Sequence, residues 1–140
     1  MSSTRHDHGL FHSSGDLIAD RRYGMAREFR ERGDNAAALA YYRQARESGP
    51  DEETAPTLLL AMSRLLSDGG KPAEAAPLLD ELVAKYPKSP AIPGALYAQA
   101  WSRLERNDAA GASPLLERIV AAYPKHPLAA DAAFRLGELA

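Results

Sequence analysis

The sequence contains no cysteine. That absence removes disulfide frameworks, thiolate metal centres and cysteine nucleophiles together. It leaves the compartment open, because cysteine-free chains serve in cytosol and periplasm alike. Long apolar runs are missing too: nothing approaches the roughly 18 consecutive apolar residues that a bilayer-spanning helix needs. The opening segment, residues 1–16, lacks the apolar core of about 7–15 residues that marks an export signal. These features predict a cytoplasmic protein without membrane insertion, or a periplasmic one if a signal has been removed. A surplus of one charge sign is also absent: 17 Lys and Arg face 19 Asp and Glu, for a net charge of −2. Domains that bind nucleic acid usually carry a basic excess. The densest basic cluster, Arg21, Arg22, Arg27, Arg30 and Arg32, is diluted by Asp20, Glu28 and Glu31, so no nucleic-acid partner is expected. Finally, no stretch alternates apolar and polar residues as a half-buried strand would.

What the chain does hold is 45% apolar residues over 140 positions, enough for a buried core. It also holds a repeat. Tyr86-Pro87-Lys88-Ser89-Pro90 recurs as Tyr123-Pro124-Lys125-His126-Pro127, 37 residues later. The same offset joins Ala38, Ala75 and Ala112, and joins Pro50, Pro87 and Pro124. Tyr42, Leu79 and Leu116 keep this register, as do Ala45, Leu82 and Ile119, and Gly33, Gly70 and Asn107. Three units at one ungapped period point to a repeat array.

Each unit reads as two helices. The second helices, 35–48, 72–85 and 109–122, place small or apolar residues at i, i+4 and i+7. Asp34 and Asp108 stand at N-cap positions, and Pro72 at a first helical position that tolerates a missing N–H. Pro50, Pro87 and Pro124 end these helices. The first helices are predicted over 15–32, 52–68 and 90–106, with a further one from 127 to 140. Ser13 with Asp16 resembles a capping box for the first helix. Pro77 and Pro114 fall inside predicted helices, which implies either a tolerated bend or a later helix start.

With two helices per unit, small residues at their crossings and a closing proline, the chain resembles the tetratricopeptide repeat family. Ala38, Ala75 and Ala112 match the small residue of the second helix; Ala26, Ser63, Ala100 and Gly137 match that of the first; and Leu136-Gly137 matches the family's Leu-Gly pair. The resemblance implies an all-α, right-handed superhelical array of three helical hairpins plus a C-terminal closing helix, seven helices in all. It implies a flexible tail over 1–14 and an array over 15–140, with units at about 15–50, 52–87 and 90–124 and the closing helix at 127–140. The 37-residue spacing and the Tyr-Pro-Lys-x-Pro joints resemble the bacterial subgroup found in envelope-assembly and cell-division coordinator proteins. Two features depart from the family pattern. Arg22 replaces a large apolar residue, which predicts looser packing of the first helix. The closing helix is apolar except for Asp131, Arg135 and Glu138, although repeat arrays need polar ends.

Nothing in the sequence assembles a catalytic constellation. His6, His8 and His12 lie in the tail and His126 in a joint, whereas a general base needs a fixed place beside its nucleophile. A tail bearing three histidines is expected to be solvated, and no metal or cofactor is expected. Gly69-Gly70 reads as a helix–helix turn, not a phosphate loop. The adjacent carboxylates Glu52-Glu53 and Asp80-Glu81 diverge by about 100° on a helix and cannot converge on one atom.

The family's concave groove is lined by first helices. The resemblance places Tyr23, Arg27 and Arg30 there from the first unit, Leu60, Arg64 and Ser67 from the second, and Tyr97, Trp101 and Leu104 from the third. Phe134 joins them from the closing helix. The expected function is non-catalytic: a scaffold binding a peptide segment of a protein partner, with an acidic end and an apolar or proline-rich anchor. Family members that clamp a C-terminal carboxylate use Lys, Asn and Arg at positions that are here Tyr23, Arg27, Ala61, Gly94 and Ala98. Only one is basic, so that activity is not expected. Two other readings exist at this level. The closing helix, 127–140, could pair with its copy in a homodimer, or the chain could be an accessory segment of a larger enzyme whose fourth unit continues beyond residue 140.

Overall fold

The computed structural model describes residues 14–140. Among these residues there are seven helices and no strand: α1 (Ser14–Glu31), α2 (Asn35–Glu47), α3 (Thr54–Asp68), α4 (Pro72–Lys85), α5 (Ile92–Glu105), α6 (Ala109–Ala122) and α7 (Pro127–Leu139). The fold is all-α, as expected. The second helices and α7 lie within one residue of their predicted bounds. The starts of α3 and α5 fall two residues later than predicted, and the residues before each form a turn held by a side chain. Asp51 Oδ1 accepts from the Glu53 and Thr54 amides at 3.1 and 2.8 Å, and Ser89 Oγ accepts from the Ala91 amide at 3.0 Å. His6, His8, His12 and the Ser13–Asp16 capping pair lie outside the residues whose side chains are described.

The chain divides into two compact units, one ending at Leu58 and one running from Leu59 to Ala140. In the first, α1 packs along α2. Ala19, Ala26, Ala38 and Ala45 are fully buried, and so is Tyr42, whose ring meets that of Tyr23 at 5.7 Å. Alanines at these positions let the helix backbones approach closely. Phe29 stacks on Tyr41 at 5.4 Å with the planes 7° apart. Arg22 does more here than weaken an apolar contact. Its guanidinium donates to Ser48 Oγ at 2.6 Å and to the Gln44 carbonyl at 3.4 Å, satisfying the C-terminal end of α2.

In the second unit, α5 packs against α4 and α6, and α6 against α7. Its core is drawn from Leu78, Leu79, Leu82, Ile92, Leu96, Leu116 and Ile119, with Ala75, Ala100 and Ala112 at the close approaches. Ser63, which occupies the small-residue place on α3, is buried and donates to the Leu60 carbonyl at 2.7 Å.

The joints repeat as the sequence does. Gly33, Gly70 and Asn107 adopt φ of 83°, 79° and 60°. After each, the next amide bonds back five residues: Asp34 to Phe29 at 2.9 Å, Lys71 to Leu66 at 2.7 Å and Asp108 to Arg103 at 2.8 Å. These are the paired bonds of a left-handed helix stop. Asp34 and Asp108 then cap the next helix by accepting from the Ala37 and Gly111 amides. Pro77 and Pro114 lie inside α4 and α6, which begin five residues before them. A later helix start is therefore excluded. The carbonyls their rings leave unbonded belong to Ala73 and Ala110, and both residues are exposed to water.

Candidate protein-binding site

The second unit contains an open cleft of about 430 Å³, within the range of sites that hold ligands. Its walls come from α3, α5 and α7. The helical spacing of Gly94, Tyr97, Trp101 and Glu105 turns one face of α5 into the cleft floor. Tyr97 and Trp101 stack with their centroids 6.5 Å apart and their planes 18° apart. Trp101 keeps 42% of its surface exposed, unusual for the largest apolar side chain.

From α7, Arg135 lies over the Trp101 ring, 4.9 Å from its centroid, and donates to Glu138 Oε1 at 3.1 Å. A hydrogen bond to the Tyr97 hydroxyl, and then the one to Glu138, hold the Arg135 guanidinium even more firmly protonated than usual. The Tyr97 and Trp101 rings are thus held together and against α7. From α3, Arg64 reaches across to Gly94: a Cβ at Gly94 would stand 3.4 Å from Arg64 Nη2 and 3.1 Å from Leu60 Cδ2. Gly94 therefore sets the closeness of α3 and α5, and with it the width of the cleft.

The groove residues read from the sequence separate as follows. Arg64, Tyr97 and Trp101 line this one cleft, and Leu60 packs half-buried beside Gly94. Phe134 is 64% exposed on α7 and does not line it. Tyr23 packs on Tyr42 in the first unit, with the Arg27 guanidinium 6.0 Å from its ring. Arg30 is exposed in that same unit. Sequence reasoning missed Arg135, assigned to a solvated face. The signal was its register: 37 residues back lies Ala98, and 37 before that Ala61, both positions noted for ligand contact in the family.

The described residues offer no group of three or more His, Asp or Glu able to hold a metal. His126, the one described histidine, caps α7: its Nδ1 accepts from the Leu128 amide at 3.1 Å. A second cleft, about 160 Å³, lies between α4, α5 and α6 and includes Asp80, Gln99, Arg103 and Arg106. Gln99 there donates to Asp80 at 2.9 Å.

A family model for the tetratricopeptide repeat matches residues 23–59, 60–124 and 97–140. The chain belongs to the tetratricopeptide repeat family. Repeats of this family are generally protein–protein interaction modules. No curated protein matches the chain. No helix among the described residues of this tetratricopeptide array is long and apolar enough to cross a membrane.

Proposed function

We propose that this tetratricopeptide protein is a non-catalytic scaffold that binds a short peptide segment of a protein partner in the cleft between α3, α5 and α7. The observation that carries the reading is Trp101: a large, half-exposed aromatic, already stacked on Tyr97 and covered on one side by Arg135. Tryptophan, tyrosine and arginine are the residues that dominate binding energy at interfaces. Leu60 of α3, beside Gly94, is a further contact that the family groove would supply. The 37-residue spacing and the Tyr-Pro-Lys-x-Pro joints favour the bacterial subgroup found in envelope-assembly and cell-division coordinator proteins. The test is selection of displayed random peptides on the whole protein, with counter-selection on Trp101→Ala. Peptides that depend on Trp101 should lose more than about 1 kcal/mol, roughly five-fold in affinity, in the variant. Unchanged affinity with an intact far-ultraviolet spectrum would remove Trp101 from the site.

One observation favours a second reading, assembly through α7. Pro93, Leu96 and Ala100 of α5 are buried, but their counterparts 37 residues on, Ala130, Ala133 and Gly137, are exposed. A second copy would cover this face through a two-fold contact. Light scattering should then give twice the 15.1 kDa chain mass, falling to a single mass in Ala133→Glu. A single mass for the unaltered protein at high concentration refutes assembly.

A further inference from the structure

We infer that the cleft is polar along its length and selects an extended segment with an acidic residue at one end, apolar residues in the middle and a basic residue at the other. This inference rests on the peptide-binding reading and specifies its partner. The argument starts from the charges that line the cleft. Arg135 is already engaged by Glu138 and Tyr97. Arg64 is different: it is exposed, has no ion pair among the described residues, and lies beside Gly94 near the start of α5. Two carboxylates line the same cleft, Asp68 and Glu105. Each is the last residue of its helix, α3 and α5 respectively. Neither makes an ion pair among the described residues.

Helix C-termini carry partial negative charge, so the two helix ends reinforce the two carboxylates. Asp68 lies one turn from Arg64 on α3, about 6 Å along the helix, so it belongs to the Arg64 end of the cleft. Lys71 does not line the cleft, and Arg106 lines the second one, which shares Ser67 and Ala98 with it. Tyr97 and Trp101, with Arg135 over the Trp101 ring, lie along α5 before Glu105, which closes the far end. The distance is set by α5 itself. Gly94 to Glu105 is an advance of eleven residues, about 16 Å at 1.5 Å per residue. An extended chain covers that distance with about five residues. The matching ligand is therefore a segment of about five residues with an acid at Arg64, apolar side chains on the rings, and Lys or Arg at Glu105. This extends the expectation of an acidic end and an apolar or proline-rich anchor. The carboxylate that closes α5 adds a requirement for a cation at the opposite end.

The test uses the peptides that depend on Trp101 in the selection described above, titrated at low salt against the whole protein. Tryptophan occurs once in the chain, so its emission reports occupancy of this cleft alone. The expected consensus is acid, apolar, base over about five positions. Arg64→Glu should weaken the consensus peptide at least ten-fold. Glu105→Lys should weaken it similarly, and should come to prefer an analogue with acids at both ends. Thermal melts establish that each variant is folded. Uniformly acidic peptides, or peptides indifferent to Glu105→Lys, overturn the inference and leave the binding site standing. Finding no Trp101-dependent peptide overturns both.

Discussion

Tyr42 is the most exacting check on the packing of the first unit. It is fully buried, and its hydroxyl has no hydrogen-bond partner among the described residues. A buried hydroxyl without a partner costs about 1–3 kcal/mol relative to water. Tyr42→Phe deletes that oxygen and keeps the ring that meets Tyr23 at 5.7 Å. The variant should therefore be more stable by about 1 kcal/mol, with a melting temperature higher by roughly 3–5 °C for a chain of this size. Burial also pushes the Tyr42 phenol above its ordinary value of 10.0, against the weaker opposing pull of Arg30 and Arg27. The sign follows directly. Above pH 10 the unfolded phenol ionises while the folded one stays protonated, so the unaltered protein loses stability as pH rises, by up to about 1.4 kcal/mol per pH unit. A phenyl ring has no proton to lose, so the advantage of Tyr42→Phe should widen above pH 10. Urea unfolding followed by circular dichroism at pH 7 and pH 10.5 measures both effects, provided that m is unchanged. A loss of 1 kcal/mol or more at pH 7 would show that the hydroxyl has a partner and that the packing account of α1 and α2 is wrong.

Two further checks concern the backbone and the caps. Gly24 lies in α1 with nothing within 4 Å of where its Cβ would be, so Gly24→Ala should stabilise by about 0.5–1 kcal/mol in the same unfolding assay. Gly70 has φ 79°, so Gly70→Ala should destabilise by about 1–2 kcal/mol. Equal effects of the two would refute the left-handed helix stop. The Gly111 amide, then Arg103, hold the Asp108 carboxyl below its ordinary value of 3.8. Its contribution is present above that value and disappears as pH falls through the lowered one, so an acid titration of Asp108→Ala should show a shallower loss of stability than the unaltered protein. Identical acid limbs would mean that the carboxylate does not cap α6.

The helical register was legible in the sequence because it is written in residues whose backbone preferences are local. Proline cannot continue a helix and glycine takes positive φ, so the places of Gly33, Gly70 and Pro72 were recoverable without knowing any neighbour. Side-chain roles that depend on the opposite helix were not. Arg22 read as a defect because the carbonyl and hydroxyl it satisfies are 22 and 26 residues away. Arg135 read as solvated because its partner ring, Trp101, belongs to another helix. For Trp101, helical spacing alone could not distinguish core from cleft, since both arrangements repeat every 3.6 residues.

The three identical helix stops also bear on how such a chain changes length. Lys71 follows Gly70 and Asp108 follows Asn107, each leaving a left-handed residue through the same five-back hydrogen bond. A tandem copy of residues 71–107 inserted after Asn107 would join two ends that already share one backbone conformation. Both new junctions would reproduce a turn the chain already makes. Gain or loss of whole units by recombination between the repeats then requires no new junction, which makes the number of units a quantity that selection can vary separately from the residues that line the cleft.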